Sequence, residues 1–216
     1  MGALYSTCPQ TGKTLDSCSL RHIMSVTDVN DEFGRPLKDL RISVTDRCNF
    51  RCRYCMPRER FNEDHTFLPK RAFLSFDEIE KVVRSTISLG LEKVRITGGE
   101  PLLRKNLPEL ISKLSKLDID IALTTNASLL KKNAKALRLA GLNRVTISLD
   151  ALDPELHKQM SDSNISVDSI LEGIDEAVRV GLSPVKINCV VQKGVNEEEV
   201  SKLVHYFRGT GIVVRF

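Results

Sequence analysis

The stretch Leu40-Arg41-Ile42-Ser43-Val44-Thr45 alternates apolar with polar side chains and runs straight into Asp46-Arg47-Cys48-Asn49-Phe50-Arg51-Cys52-Arg53-Tyr54-Cys55. A period of two marks a β-strand with unlike faces, so Leu40, Ile42 and Val44 share one face and Arg41, Ser43 and Thr45 the other. Outward from this strand, strand-like and helix-like stretches alternate to the end of the chain. Strands are predicted at Leu40–Thr45, Lys93–Thr97, Ile119–Thr125, Arg144–Asp150, Val185–Val191 and Ile212–Phe216. Helices are predicted between them, near Phe76–Leu89, Pro108–Leu117, Leu130–Ala140, Val167–Val180 and Glu197–Phe207. Ser75 with Glu78 three residues on fits a capping box, and Gly90, Gly141 and Gly181 stand where helices end. Such alternation implies right-handed crossovers and a parallel sheet, hence an α/β fold.

Parallel strands covered on both faces read as near-continuous apolar runs. These do not. The polar set recurs as Arg95 and Thr97, as Thr124, as Thr146, Ser148 and Asp150, as Lys186 and Asn188, and as Arg215. With helices on the apolar face, the polar face lines a shared interior, as in a barrel that holds a cavity instead of a packed core. Arg41, Arg95, Lys186 and Arg215 point inward, and Asp150 is the only inward carboxylate recognised beside them. Buried charges need partners, so a polyanionic ligand such as a nucleotide polyphosphate is expected. An open sheet with one solvated face is the competing reading.

The chain has 216 residues, 41% of them hydrophobic and 28% charged, with 32 basic against 28 acidic side chains. That suits one globular domain with a short appendage and excludes wholesale disorder. No apolar run reaches the 18 or so residues of a membrane helix, and a net charge of +4 does not of itself point to nucleic acid.

Of the six cysteines, Cys48, Cys52 and Cys55 crowd together after the first strand, and no signal-peptide core precedes them. An intracellular, reducing setting and a metal or cluster site follow. Arg47, Arg51, Arg53 and Arg58 are expected to favour thiolates over thiols. Three thiolates at the C-terminal end of a barrel strand suit an iron–sulfur cluster with one iron free of protein ligands. Zinc completed by His65 or a carboxylate is the alternative, weakened by the lack of a second C-x2-C pair. Cys189 reads as a core residue, and Cys8 and Cys18 as free thiols.

The C-x3-C-x2-C spacing with Tyr54 before the last cysteine, and Gly98-Gly99-Glu100-Pro101 after the second strand, resemble the signatures of the radical S-adenosylmethionine (SAM) superfamily. Within it, residues 33–216 resemble the GTP 3′,8-cyclases of molybdenum-cofactor biosynthesis, through FGRPLKDLRISVTDRCNFRCRYCMP, KVRITGGEPLLR, LTTN, TISLDAL, PVKINCVVQKG and VRF. The resemblance implies a partial (β/α)6-type TIM barrel. It implies a 4Fe–4S cluster on Cys48, Cys52 and Cys55, SAM near Tyr54, Gly98, Gly99, Glu100 and Ser148, and GTP held by Arg41, Arg95, Thr124, Lys186 and Arg215. The implied reaction is reductive cleavage of SAM to a 5′-deoxyadenosyl radical, abstraction of H3′ from GTP and bonding of C3′ to C8. Implied partners are a flavodoxin- or ferredoxin-like electron donor and the downstream cyclic pyranopterin monophosphate synthase, with a homodimer left open and neither nucleic acid nor membrane expected. Another radical SAM enzyme acting on a peptide or other anionic substrate remains a rival, as does an inactive metal-binding fragment.

Two departures bear on this. The family usually carries glycine where Ala127 follows Asn126, a costly exchange if the backbone there has positive φ. The family also continues past Phe216 with a region bearing a second three-cysteine cluster, so the chain is read as C-terminally truncated and not competent for the full reaction alone. Residues 1–35 are expected to form an irregular extension and residues 36–216 the core. Met24 is read as the natural start, and residues 1–23, poor in arginine, as no organellar leader, which makes the cytoplasm the expected location and the mitochondrion the alternative.

Overall fold

Five strands of this chain are each followed by helix that carries the backbone back to the start of the next, so all neighbours run parallel. The computed structural model describes residues 29–216. In it β1 (Asp39–Ser43), β2 (Lys93–Thr97), β3 (Asp120–Thr125), β4 (Arg144–Ser148), β5 (Lys186–Asn188) and β6 (Val213–Arg215) lie side by side in chain order. The returning helices are α1 (Phe76–Ile87), α2 (Leu107–Leu114), α3 (Leu130–Leu139), α4 (Pro154–Ser161), α5 (Val167–Arg179) and α6 (Glu199–Phe207). The expectations for Cys8, Cys18, Met24 and residues 1–23 lie outside the described residues.

The capping box is present: the Ser75 hydroxyl accepts from the Glu78 N–H at 3.2 Å, and the Glu78 carboxylate accepts from the Ser75 N–H at 2.7 Å. Gly90, Gly141 and Gly181 leave their helices with positive φ. The alternate residues Val94 and Ile96, Ile121 and Leu123, Val145 and Ile147, and Ile187 are buried with Leu110, Ile111, Leu114, Leu130, Leu137, Ile170 and Leu203 of the helices. This apolar layer is the core.

The sheet is a partial barrel with two open edges, β1 and β6. Inner-face residues on the edges, Arg41, Ser43 and Arg215, are exposed, whereas Arg95 and Lys186 on central strands are half-buried. The cavity and the solvated face were alternatives in the sequence; the molecule has both, a cavity at the strand ends and open flanks. Asp150 is not alone. Asp39 and Asp120 share a row with Lys93, where Asp39 pairs with Lys93 at 2.5 Å and Asp120 pairs with Arg144. Both acids occupy the first position of their strands, where the alternation had too short a run to place them.

Two other expectations change, and a third condition is met. The ladders of β5 and β6 are three residues long instead of reaching Val191 and Phe216. Past β5 the Val190 N–H leaves the sheet for the Asp150 carboxylate at 2.8 Å. An unexpected helix, α4, follows β4, started by Asp153, whose carboxylate accepts from the Leu156 N–H at 2.8 Å, with Pro154 in its first turn. Ala127 does adopt φ +61°, the left-handed value that alanine disfavours.

Candidate active site

The residues after β1, β2, β3 and β4 meet at one end of the sheet. Cys48, Cys52, Cys55, Tyr54, Gly98, Gly99, Thr124 and Ser148 border a cavity of about 290 Å³ there. The cysteine loop is fixed from several sides. Arg51 directs its guanidinium to the carbonyls of Cys48 at 2.7 Å, Phe50 at 2.9 Å and Phe61 at 3.2 Å. The Arg51 N–H donates to the Ser161 carbonyl at 2.9 Å and the Arg53 N–H to the Met160 carbonyl at 3.3 Å, which seats the loop on the end of α4. Arg58 pairs with Asp162 just beyond that helix.

Gly99 is required by the loop itself. A Cβ on it would lie 2.3 Å from the Arg47 carbonyl oxygen and 3.0 Å from the Cys48 nitrogen. The Gly99 N–H donates to the Thr45 carbonyl at 2.8 Å and the Glu100 N–H to the Arg47 carbonyl at 2.7 Å. Glu100 does not border the cavity. It is buried, and its carboxylate accepts from the Thr125 hydroxyl at 2.8 Å and the N–H groups of Asn126 at 2.8 Å and Leu102 at 3.0 Å. Burial nevertheless raises its pKa, against those hydrogen bonds. Glu100 therefore locks the turns after β2 and β3 together.

The arginines do not act on the thiols as expected. Burial, followed by the charge of Asp150, pushes the Cys52 thiol up to about 12, and burial also raises Cys48. The guanidinium of Arg51 is spent on carbonyls and Arg58 on a carboxylate, so packing outweighs the cations. These cysteines stay protonated until a metal displaces the proton.

Three residues at the cavity carried no assignment from the sequence. Asp150, 8% exposed, accepts from the Tyr54 hydroxyl at 2.6 Å. Asn126 donates to Asn49 at 3.0 Å and toward the Cys48 sulfur at 3.9 Å. His157 of α4 meets the Phe50 ring edge-on, centroids 6.0 Å apart. Asn126 was in view, within the LTTN stretch; His157 was hidden with its helix.

The residues fit an iron–sulfur cluster better than zinc. Tetrahedral zinc would need a fourth ligand beside the three thiols, all meeting at one ion. A cubane instead takes each thiolate at a separate corner, and three thiols bordering one cavity suit that. His65, the expected fourth zinc ligand, packs between Phe61 and Phe67, 4.6 Å from each ring centroid.

Of the expected anion-binding residues only Thr124 reaches this cavity. The others share its face of the sheet: Arg41 stands opposite Arg95, Thr124 opposite Thr146, Thr146 opposite Lys186, and Asn188 opposite Arg215. Burial and then the charges of Arg215, Arg144, Arg95 and Lys93 lower the Lys186 pKa. Arg144 and Lys93 thus join the four cations read from the sequence.

Residues 42–207 match the model of the radical SAM superfamily. The chain belongs to that superfamily. Radical SAM proteins hold a 4Fe–4S cluster and SAM, and in this chain Cys48, Cys52 and Cys55 border one cavity. Curated relatives include the GTP 3′,8-cyclase of Staphylococcus carnosus, 53% identical over 88% of this chain and 56% of that protein. The one from Acidothermus cellulolyticus is 51% identical over 87% of the chain and 52% of its own length. The chain spans about half the length of these relatives. Among solved structures, Streptococcus suis SuiB bound to S-adenosylmethionine superposes with a TM-score of 0.68 at 23% identity, covering 82% of this chain and 39% of that one. Methylornithine synthase superposes at 0.62 with 18% identity, over 85% and 54%. Both likenesses concern the radical SAM fold. No helix among the described residues is long and apolar enough to cross a membrane.

Proposed function

We propose that this chain is the radical SAM core of a GTP 3′,8-cyclase, the enzyme that opens molybdenum-cofactor biosynthesis. Identity above 50% to curated relatives of that name supports it. The structural observation that carries it is Lys186, a half-buried ammonium with Arg215, Arg144, Arg95 and Lys93 as its charged neighbours on a face that leads to the cysteine cavity. Lys93 and Arg144 are paired with Asp39 and Asp120, and Arg95 lies 3.9 Å from Asp39, whereas Arg41, Lys186 and Arg215 make no ion pair among the described residues. Such a group suits an anion with several charges, and forked guanidinium donors suit phosphate oxygens.

Bound there, cluster and SAM would supply a 5′-deoxyadenosyl radical able to take the C3′ hydrogen of GTP, and closure of C3′ onto guanine C8 would then need one electron and one proton to quench the guanine-centred radical. The chain supplies orientation. Arg41, Arg95, Lys186 and Arg215 take the triphosphate, Thr124 stands in the same row as Lys186 and borders the cavity, and Tyr54, Gly98, Gly99 and Ser148 border the place for SAM. Glu100 acts by fixing the turns that present them. Rigid strands hold the two reactants in register, where a displacement near 1 Å costs on the order of a hundredfold in rate. An electron carrier of the flavodoxin or ferredoxin kind reduces the cluster, the product passes to cyclic pyranopterin monophosphate synthase, and the setting is cytoplasmic.

The test uses GTP deuterated at C3′ with the reconstituted chain, SAM and dithionite. Deuterium appearing in 5′-deoxyadenosine, with binding that weakens from GTP to GDP to guanosine, supports the reading. Unlabelled 5′-deoxyadenosine together with equal affinity for GTP and guanosine overturns it.

A further inference from the structure

Two buried polar atoms beside the cysteine loop have no partner. His157 and Ser161 are each 4% exposed, and neither the His157 Nε2 nor the Ser161 Oγ makes a hydrogen bond. They lie four residues apart on α4, hence on one face of the helix one turn apart. Both border the cavity that Cys48, Cys52 and Cys55 share. The end of α4 is bonded to Arg51 and Arg53, the two residues that flank Cys52, through the carbonyls of Ser161 and Met160. The orphaned atoms therefore share a cavity with Cys52, and neither hydrogen-bonds its sulfur in the metal-free chain.

Buried polar atoms in folded proteins are nearly always hydrogen-bonded, so two orphaned ones on one helix face call for a partner. Cys52 has the complementary need. The Cys48 sulfur already accepts from the Phe50 N–H at 3.4 Å and from Asn126 at 3.9 Å, whereas the Cys52 sulfur accepts no hydrogen bond among the described residues. Burial lowers the His157 pKa, with Asp150 acting the other way, so the ring is neutral and keeps one N–H to give. Arg51, the nearest cation in the loop, is committed to carbonyls.

We propose that His157 and Ser161 donate hydrogen bonds to the cluster at its Cys52 corner and thereby raise its reduction potential. They act as positioning and tuning residues through the thiolate, since N–H···S and O–H···S bonds stabilise the more negative, reduced cluster. The inference rests on the cluster of the radical SAM family and not on GTP as the substrate.

The experiment measures iron, sulfide and the cluster midpoint potential, the last by redox titration followed by electron paramagnetic resonance, in the anaerobically reconstituted chain. His157→Phe keeps an aromatic ring against Phe50 but removes the donor, His157→Gln restores an N–H, and Ser161→Ala removes only a hydroxyl. Full cluster content with a more negative potential in His157→Phe and Ser161→Ala, and partial return in His157→Gln, is the expected result. Full content with unchanged potential in both donor-deleting variants overturns the inference. Should His157→Phe not fold, Ser161→Ala against the unmodified chain decides alone. Iron without sulfide in the unmodified chain removes the cluster reading itself, a result separate from a null shift.

Discussion

Tyr54 reaches across the cavity to donate its hydroxyl to Asp150 at 2.6 Å, joining the cysteine loop to the chain that leaves β4. The contact spans 96 positions in sequence and satisfies a buried carboxylate. Tyr54→Phe should destabilise the apo-protein by about 1.5–3 kcal/mol, the range for a hydrogen bond to a charged group. Urea unfolding checks this, and a change within about 0.5 kcal/mol would show that the contact is dispensable.

Gly99→Ala should be worse for cluster assembly than for the fold as a whole. The new methyl would overlap the backbone at Arg47, so the cysteine loop must shift while the sheet beneath it keeps its core. Reconstitution should then give much reduced iron and sulfide in a chain with near-native far-ultraviolet circular dichroism. Full cluster content would show that the loop yields easily.

Cys48→Ala, Cys52→Ala and Cys55→Ala should each abolish cluster assembly. Among the described residues the remaining thiol is Cys189, buried beside Asp150 and behind the loop, where it cannot substitute. Iron and sulfide analysis of the three variants is the check.

The raised thiols give the metal-free protein a particular pH dependence. Cys52 titrates near 9.0 in the unfolded chain and about 12 in the folded one, and Cys189 likewise. Between these values the unfolded chain binds fewer protons than the folded one, so stability must fall as pH rises from about 9 toward 12. Denaturant midpoints measured across that range should decline. A flat or rising profile would mean that the sulfurs are better solvated than their burial implies.

Lys186→Ala and Arg95→Ala should each weaken GTP binding by about 1.5–3 kcal/mol, roughly tenfold to more than a hundredfold, while cluster content stays unchanged. Calorimetric titration with GTP decides it. Unchanged affinity in both variants would remove the triphosphate site.

Much of the fold was legible because its cause is local. The alternation through Leu40–Thr45 follows from strand geometry, and the Ser75–Glu78 cap from the unpaired N–H groups of a helix start. Helix α4 escaped because its eight residues hold barely two turns of pattern, although Asp153-Pro154-Glu155 is a fair start signal. The cysteines were legible as a group, but not their protonation, which depends on burial and on Asp150, nearly a hundred residues away. The bonding of Glu100 was hidden for the same reason. A carboxylate in a glycine turn looks available until the turn after β3 is seen bonded to it.

The way the cysteine loop is held has a consequence for biosynthesis. Its supports are Gly99, Asn126, Asp150 and the carbonyls of Met160 and Ser161, all later in the chain than the loop they shape. During translation the three thiols emerge first and wait without a scaffold until α4 has left the ribosome. The loop can therefore take this shape only after the two-turn helix α4, about a hundred residues downstream, has been made.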